Sequence, residues 1–288
     1  MARTSRSIKN ISDTARWMAF YRAMESERPD ALFHDPYARL LAGESGKEIA
    51  HTLPWGLYNT WALVVRTRVL DEIILQIVEN HMVDTILNLA AGFDTRPYRL
   101  PLPASLHWIE IDLPEIISEK ARKLAHVRPR CRLTQIKLDL ADINMRRSCF
   151  SCLVQEAWQI LVVTEGLLIY LTNEQVAALA NDLHTHPQFR WWLTDLVSPL
   201  VLLLYQINWA RELAHGHISF QFAPREGERF FSSTGWHVVE RRSTMEEAAR
   251  LHREMPFGPL WRLMVNRSYK TFQETYRKMS CFLLLGRD

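Results

Sequence analysis

The stretch Thr85-Ile86-Leu87-Asn88-Leu89-Ala90-Ala91-Gly92-Phe93-Asp94-Thr95-Arg96 begins as an apolar run of strand type and breaks at Gly92 into a polar turn. A buried strand feeding a tight turn is how an α/β sheet offers backbone N–H groups to a nucleotide-like ligand. Twenty positions beyond Gly92, the apolar run from Leu106 to Ile111 ends in Asp112. An acid at that distance from the glycine turn is placed to bridge a ribose diol. A lone glycine after a strand is most often an ordinary turn, and it is the correctly spaced acid that gives this one its chemistry. The turn lacks the G-x-G-x-x-G of dinucleotide binders. An adenosine without a pyrophosphate is therefore expected, S-adenosylmethionine (SAM) fits that description, and a nicotinamide-binding oxidoreductase is disfavoured.

A second charged group stands on a helix. From Leu63 to His81, Val69, Ile73 and Ile77 step by four, as do Leu70, Ile74 and Val78, which is an amphipathic helical pattern. Arg66 lies one turn before Leu70 on the apolar stripe, where a guanidinium needs an anionic partner or must snorkel outward from the helix end. Arg68 instead meets Glu72 at i,i+4 as a solvated pair. No H-E-x-x-H and no Cys/His ligand spacing occurs, and Cys149-Phe-Ser-Cys152 is a C-x-x-C without a second pair; no metal is expected.

The wider composition bounds the partners. The 288 residues suit one large α/β domain with a cap. The net charge of +3, from 35 basic against 32 acidic residues without blocks, gives no case for nucleic acid. The longest apolar run, Leu200 to Tyr205, is too short to cross a bilayer. The basic, polar segment from Met1 to Asn10 has no apolar core of a secretory signal, and is expected to be loosely docked or disordered. Four cysteines in a chain of this length do not make a disulfide framework, so a reducing cytoplasm is the expected location.

Elements of alternating type must carry these groups. Helical spacing over Ile11 to Met24, with Ser12 or Asp13 as N-cap, is followed by a second helix opened by an Asp35 cap and Pro36 at its first position. Strands are expected over 85–90, 106–111, 131–137, 159–164, 189–196, 236–240 and 280–285. Helices are expected over 114–125, 173–184, 199–214 and 245–252, the second of these with a Thr172/Gln175 capping box. Alternation of this kind signals a parallel sheet with crossover helices.

Seven segments in order also carry a family likeness. They are Ala31-Leu32-Phe33-His34-Asp35-Pro36-Tyr37-Ala38, Arg66-Thr67-Arg68 with Asp71, the Gly92 turn, and Glu110-Ile111-Asp112-Leu113-Pro114. Asp139-Leu140, Thr164-Glu165-Gly166-Leu167-Leu168-Ile169-Tyr170-Leu171 and Phe222-Ala223-Pro224…Phe231…Gly235-Trp236 complete the set. From about residue 12 to the C-terminus the chain thus resembles the leucine carboxyl methyltransferase family, whose bacterial members include polyketide O-methyltransferases. The resemblance implies a Rossmann-like, SAM-dependent methyltransferase fold: a seven-stranded, mostly parallel sheet with an antiparallel last strand. A helical cap over 1–62, a catalytic core over 63–288 and a lid-like insertion around 197–230 would make up the single domain.

The same resemblance implies the cofactor contacts. Ala90, Gly92 and Asp94 would form the turn around the methionyl part of SAM, and Asp112, followed by Leu113, would hold the ribose. Asp139 and Leu140 would frame the adenine. Arg66 would pair with the methionyl carboxylate, Glu165 and Gly166 would lie near its amine, and Arg22 matches a basic contact more loosely. Ala90 departs from the family turn, which has glycine there. Its methyl group is tolerable if φ is negative.

Methyl transfer from a sulfonium is an in-line displacement governed by positioning. A carboxylate acceptor needs orientation only, whereas a phenol or alcohol needs a base. Tyr170, His215 and His217 are the candidates for handling the acceptor, although a packed tyrosine and an exposed histidine pair are the plainer readings. Trp55, Tyr58, Trp61 and the 200–209 helix could wall a pocket for a hydrophobic or aromatic small molecule. SAM-dependent O-methylation of such a natural product leads, methylation of a protein C-terminal carboxylate is its rival, and a non-catalytic SAM-binding scaffold is the third reading. Neither the acceptor nor the oligomeric state is legible in the sequence.

Overall fold

The computed structural model describes residues 11–53, 56–80, 83–215 and 219–287. The expectation for residues 1–10, the wall residue Trp55, the helix end at His81 and His217 all lie outside the described residues.

Two N-terminal helices open the chain, α1 (Ile11–Ser26) and α2 (Ala38–Thr52), and a 3-10 turn at Leu57–Asn59 leads into α3 (Thr60–Asn80). Then come β1 (Thr85–Leu89), the short α4 (Arg96–Arg99), β2 (His107–Asp112), α5 (Pro114–Lys123) and β3 (Arg132–Lys137). The chain continues through α6 (Ile143–Leu153), β4 (Ile160–Thr164), α7 (Asn173–His184), β5 (Phe189–Val197) and α8 (Pro199–His215). It closes with β6 (His237–Ser243), α9 (Thr244–Arg250), α10 (Gly258–Asn266), α11 (Lys270–Arg277) and β7 (Ser280–Gly286).

Seven strands form one sheet in the order β3-β2-β1-β4-β5-β7-β6. The pairings from β3 through β5 are parallel, and β7 runs antiparallel to both β5 and β6. β1 and β4 are buried along their whole length, as expected of central strands covered on both faces. One face packs against Phe150, Val176, Leu183 and Trp236. The other carries the stepped residues of α3, with Val69, Leu70, Ile73, Ile74 and Ile77 all buried. Chain order reverses between β1 and its two neighbours, β2 and β4. That reversal opens a crevice at the carboxyl ends of the strands, where ligands of such sheets bind.

The capping box forms as expected: Thr172 Oγ1 accepts from Gln175 N, and Gln175 Oε1 accepts from Thr172 N. The regular part of the second helix starts at Ala38. Asp35 Oδ1 accepts from Tyr37 N at 3.2 Å, the cap-type bond expected of it, while its Oδ2 takes Arg22 Nε at 2.8 Å and Thr95 Oγ1 at 2.6 Å. The buried carboxylate thus serves a cation as well as the helix start. α6, α10 and α11 were not anticipated by periodicity; α6 has Asp142 as its N-cap. Ser12 and Asp13 fall inside the first turn of α1. No helix among the described residues is long and apolar enough to cross a membrane.

Directly under the crevice, Lys120 of α5 donates to Glu110 of β2 at 2.6 Å with both side chains fully buried, and Gln135 takes the second carboxylate oxygen. Removing one member of such a pair strands the other. Lys120→Met is expected to destabilise the fold by about 3–5 kcal/mol at pH 8. The loss should shrink toward pH 5, where the stranded Glu110 can take up a proton. Urea unfolding at the two pH values measures it, and an equal, small loss at both would show the pair to be dispensable.

Candidate functional site

At the carboxyl ends of β1, β2, β4 and β5 lies a cavity of about 210 Å³. The strands deliver its polar groups. β1 runs into Ala90, Gly92 and Asp94, β2 ends on Asp112, β4 is followed by Glu165 and Gly166, and β5 carries Asp195. Helix α3 brings Arg66 from above the sheet and α1 brings Arg22.

Asp112 is fixed by the turn it faces. Its Oδ2 accepts from Gly92 N at 2.6 Å and its Oδ1 from Leu113 N at 2.7 Å. A carboxylate has roughly four lone-pair sites, so each oxygen keeps one, and the pair is spaced for two neighbouring hydroxyls. Burial pushes the Asp112 carboxyl up against the pull of those two N–H groups. Gly92 supplies the geometry with a φ of 51°, which costs glycine nothing.

Ala90 also lies in the left-handed region, at φ 54°, so the condition under which its methyl group is tolerated without strain, a negative φ, is not met. Asp94 accounts for the shape of the turn. It accepts from Asn88 Nδ2, Arg96 N and Arg96 Nη1 at 2.8–2.9 Å, and these bonds hold the loop curled whatever residue stands at position 90.

Arg66 finds its anions within the protein. Its Nε donates to Glu165 Oε1 at 2.9 Å and its Nη1 lies 3.3 Å from Asp195 Oδ2. Snorkelling is thus not its solution. Arg96, almost fully buried, donates to Asp71, Asp94 and Glu165 at 2.6–2.9 Å. Arg99 doubles the grip on Asp71, and Arg22 pairs with Asp35 while reaching Phe93 O. Burial works against the Asp94 carboxylate, yet the Arg96 and Lys120 cations win and hold it down at about 2. Burial likewise opposes Glu165, and Arg96 and Arg66 overcome it.

The rest of the cavity is a wall of rings. Tyr205 and Trp209 of α8 stack at 4.8 Å, Trp17 meets Trp209 edge-on at 5.4 Å, and Phe220 lies 5.3 Å from Tyr170. Burial raises the phenols of Tyr170 and Tyr205, and the charges of Arg66 and Asp195 act on both. Tyr58 and Trp61 do not line the cavity; Trp61 packs into the core between α3 and the sheet.

The cavity therefore gathers Arg22, Arg66, Ala90, Gly92, Asp94, Asp112, Glu165, Gly166 and Tyr170. Leu113, Asp139 and Leu140 are not among its lining residues. Leu113 caps α5. Asp139 is exposed beyond β3 and accepts from Ala141 N, while Leu140 packs toward the core under α6. His215 is the last residue of α8. Asp195, Arg96, Arg99 and Asn88 were missed as site residues. Arg96 stood inside a quoted motif, but Asp195 carries no local signal, since only the pairing of β5 with β4 brings it in. Among the described residues no His, Cys, Asp and Glu cluster is placed to hold a metal ion.

Residues 15–184 match the family model described as leucine carboxyl methyltransferase. A Parafrankia protein provisionally named an S-adenosyl-L-methionine-dependent methyltransferase is 32% identical over 191 residues, covering 62% of this chain and 60% of that one. A similarly named protein of Mycolicibacterium smegmatis is 31% identical over 195 residues, covering 61% and 63%. The match thus spans about three-fifths of the length of these relatives. Among solved structures, a duf574 family protein of Streptomyces avermitilis superposes with a TM-score of 0.59 at 11% identity, over 96% of this chain and 97% of that one. A provisionally named methyltransferase of Thermobifida fusca gives 0.55 at 12%, over 99% and 96%. At such identities the two structures speak for the fold alone, and they agree with the seven-stranded sheet described above.

Two outcomes test this site without any ligand. A left-handed alanine costs about 1–2 kcal/mol, and glycine returns roughly half of that gain to the unfolded chain. Ala90→Gly should thus leave the melting temperature unchanged or raise it by a few degrees; a fall would contradict the left-handed turn. The second concerns acid. A carboxyl held at about 2 against an ordinary 3.8 contributes about 2 kcal/mol. Its folded value is depressed, so the contribution is complete above pH 4 and is lost as pH falls through 2. Asp94→Asn should flatten the decline in urea midpoint across that window, and an unaltered acid profile would refute the assignment.

Proposed function

The chain belongs to the leucine carboxyl methyltransferase family, and from that premise we propose that it is a SAM-dependent O-methyltransferase acting on a small, hydrophobic or aromatic, polyketide-like acceptor. Asp112 carries the reading: a carboxylate on the turn-facing end of β2, with both oxygens oriented by backbone N–H groups and one lone pair left on each.

The cavity's own groups fit such a donor. Asp94, Asp112, Glu165 and Asp195 line it with Arg22, Arg66, Arg96 and Arg99, and behind that lining Asp35 and Asp71 pair with Arg22, Arg96 and Arg99, so that acids outnumber arginines by six to four once those two are counted. A sulfonium, an ammonium and a carboxylate together bring one net positive charge, which that surplus attracts. When bound, SAM supplies an electrophilic methyl group.

The residues of the chain do the rest. Asp112 takes the ribose hydroxyls. Arg66 and Glu165, already aligned on each other, offer a cation and an anion to the amino-acid tail. Gly166 has a φ of 64°, and a Cβ there would crowd Arg66 Nη1 at 3.1 Å, so glycine suits this position. The rings of Trp17, Tyr205, Trp209 and Phe220 exclude water from the acceptor side, which strengthens every charge interaction beside them. In this reading α1 and α2 belong to the cap and α8 to the lid, and Asp139 and Leu140 would have to approach the adenine from the rim. Four unpaired thiols favour the reducing cytoplasm as the place of work.

Asp112→Ala should weaken SAM binding by roughly 1.5–3 kcal/mol, the scale of charge-assisted hydrogen bonds. Titration calorimetry with SAM reads this directly, provided circular dichroism shows the variant folded. An unchanged affinity in the folded variant would remove the ribose assignment.

A further inference from the structure

Resting on the reading of the cavity as a methyl-transfer site, we infer that the acceptor is an uncharged aromatic alcohol, its ring held by Tyr205, Trp209 and Phe220 and its hydroxyl donating to Asp195. Family resemblance and composition leave carboxylate and hydroxyl equally open; the placement of charge does not.

Every arginine lining the cavity is already engaged. Arg22 is taken by Asp35, Arg66 by Glu165 and Asp195, and Arg96 and Arg99 by Asp71, with Asp94 and Glu165 on Arg96 as well. No lysine or other arginine lines the cavity among the described residues. A carboxylate acceptor entering there would leave water for a ring-lined space where Arg66, the cation that acts on Tyr170 and Tyr205, is already shared by Glu165 and Asp195, and where the four lining arginines are matched by four lining acids. An ion buried without a partner is strongly disfavoured. A phenol, with a pKa near 10, is neutral at pH 7, whereas a carboxylic acid, near 4, is ionised. The phenol therefore enters without that cost and needs a single acceptor for its O–H.

Asp195 is placed to be that acceptor. It stands near the end of β5, lines the cavity, and acts electrostatically on both tyrosines of the ring wall. Its Oδ1 is held by Gly166 N at 2.6 Å, while Oδ2 has only the longer 3.3 Å contact to Arg66. Oδ2 thus keeps a lone pair for a ligand. Glu165 has a short guanidinium bond on each oxygen and is thereby held more firmly within the ion-pair network than Asp195 Oδ2. The rings around it present faces and edges: Tyr205 stacked on Trp209, Trp17 and Phe220 inclined to them. Flat aromatic ligands bind against such walls by offset stacking and edge contacts.

Calorimetry at pH 7 decides the matter with 2-naphthol and 2-naphthoate, two probes of one shape that differ in charge, titrated into the full chain saturated with S-adenosylhomocysteine. Naphthol is expected to bind at least tenfold more tightly than naphthoate. Asp195→Asn should narrow that ratio by weakening naphthol and admitting naphthoate, and Trp209→Phe, which keeps a ring in the wall, should weaken both probes together. Equal or tighter binding of naphthoate, or no binding of either probe to the S-adenosylhomocysteine complex, overturns the inference and leaves the methyltransferase reading standing. A protein that fails to bind S-adenosylhomocysteine at all removes both.

Discussion

The alternating lattice of guanidinium and carboxylate groups at the carboxyl edge of the sheet is the interaction on which the rest depends. Arg96 stands at its centre, almost fully buried, and joins Asp71 of α3, Asp94 of the β1 turn and Glu165 beyond β4. Arg66 extends it to Asp195 of β5. Four segments distant in sequence are thereby held in one register. Packing alone does not do this, because apolar contacts between sheet and helices tolerate small slips, whereas short charge-assisted hydrogen bonds do not. Buried ion pairs contribute little net stability after desolvation. Their retention here is better understood as orientation: they hold the end of β1 and the residue after β4 at fixed positions for a ligand lying between them.

That lattice also explains how an alanine is accommodated where the family turn has glycine. The left-handed φ of Ala90 costs about 1 kcal/mol, but Asp94 closes the turn through Asn88, Arg96 N and Arg96 Nη1. Local strain persists where surrounding bonds over-determine the backbone. The same closure presents Gly92 N to Asp112, so the strain and the ligand-facing geometry have one origin.

What the sequence revealed and concealed follows from the range of each interaction. Gly92 and Asp112 were legible because a βαβ unit imposes the spacing between them. The stepped apolar face of α3 was legible because helical period and burial coincide, and the capping box because it closes over three residues. Asp35 was legible only in part: its bond from Tyr37 N is local, whereas its partner Thr95 lies 60 residues away. Asp195 could not be found at all, since its place in the cavity is set by the pairing of β5 with β4. Periodicity missed α10, whose Leu260, Trp261, Leu263 and Met264 remain exposed, because apolar residues spread around a short helix mark no inward face. Arg66 was recognised as an inward cation in need of an anion, but two anions from the chain itself already meet that need.

This last point bears on how a charged ligand enters. A site that kept Arg66 unpaired would hold a buried cation at a cost of several kcal/mol whenever empty. Pairing it with Glu165 and Asp195 removes that cost, and an arriving carboxylate then exchanges one partner for another. The ligand's own ammonium compensates the anion it displaces, so the exchange is charge-balanced for an amino-acid tail. For a lone carboxylate it is not, since nothing would then compensate Glu165 or Asp195. Under the proposed function, paired charges at one end of the cavity and rings at the other would separate two kinds of guest, a zwitterion over the lattice and a neutral, flat molecule against the rings. Asp195 stands where the two regions meet.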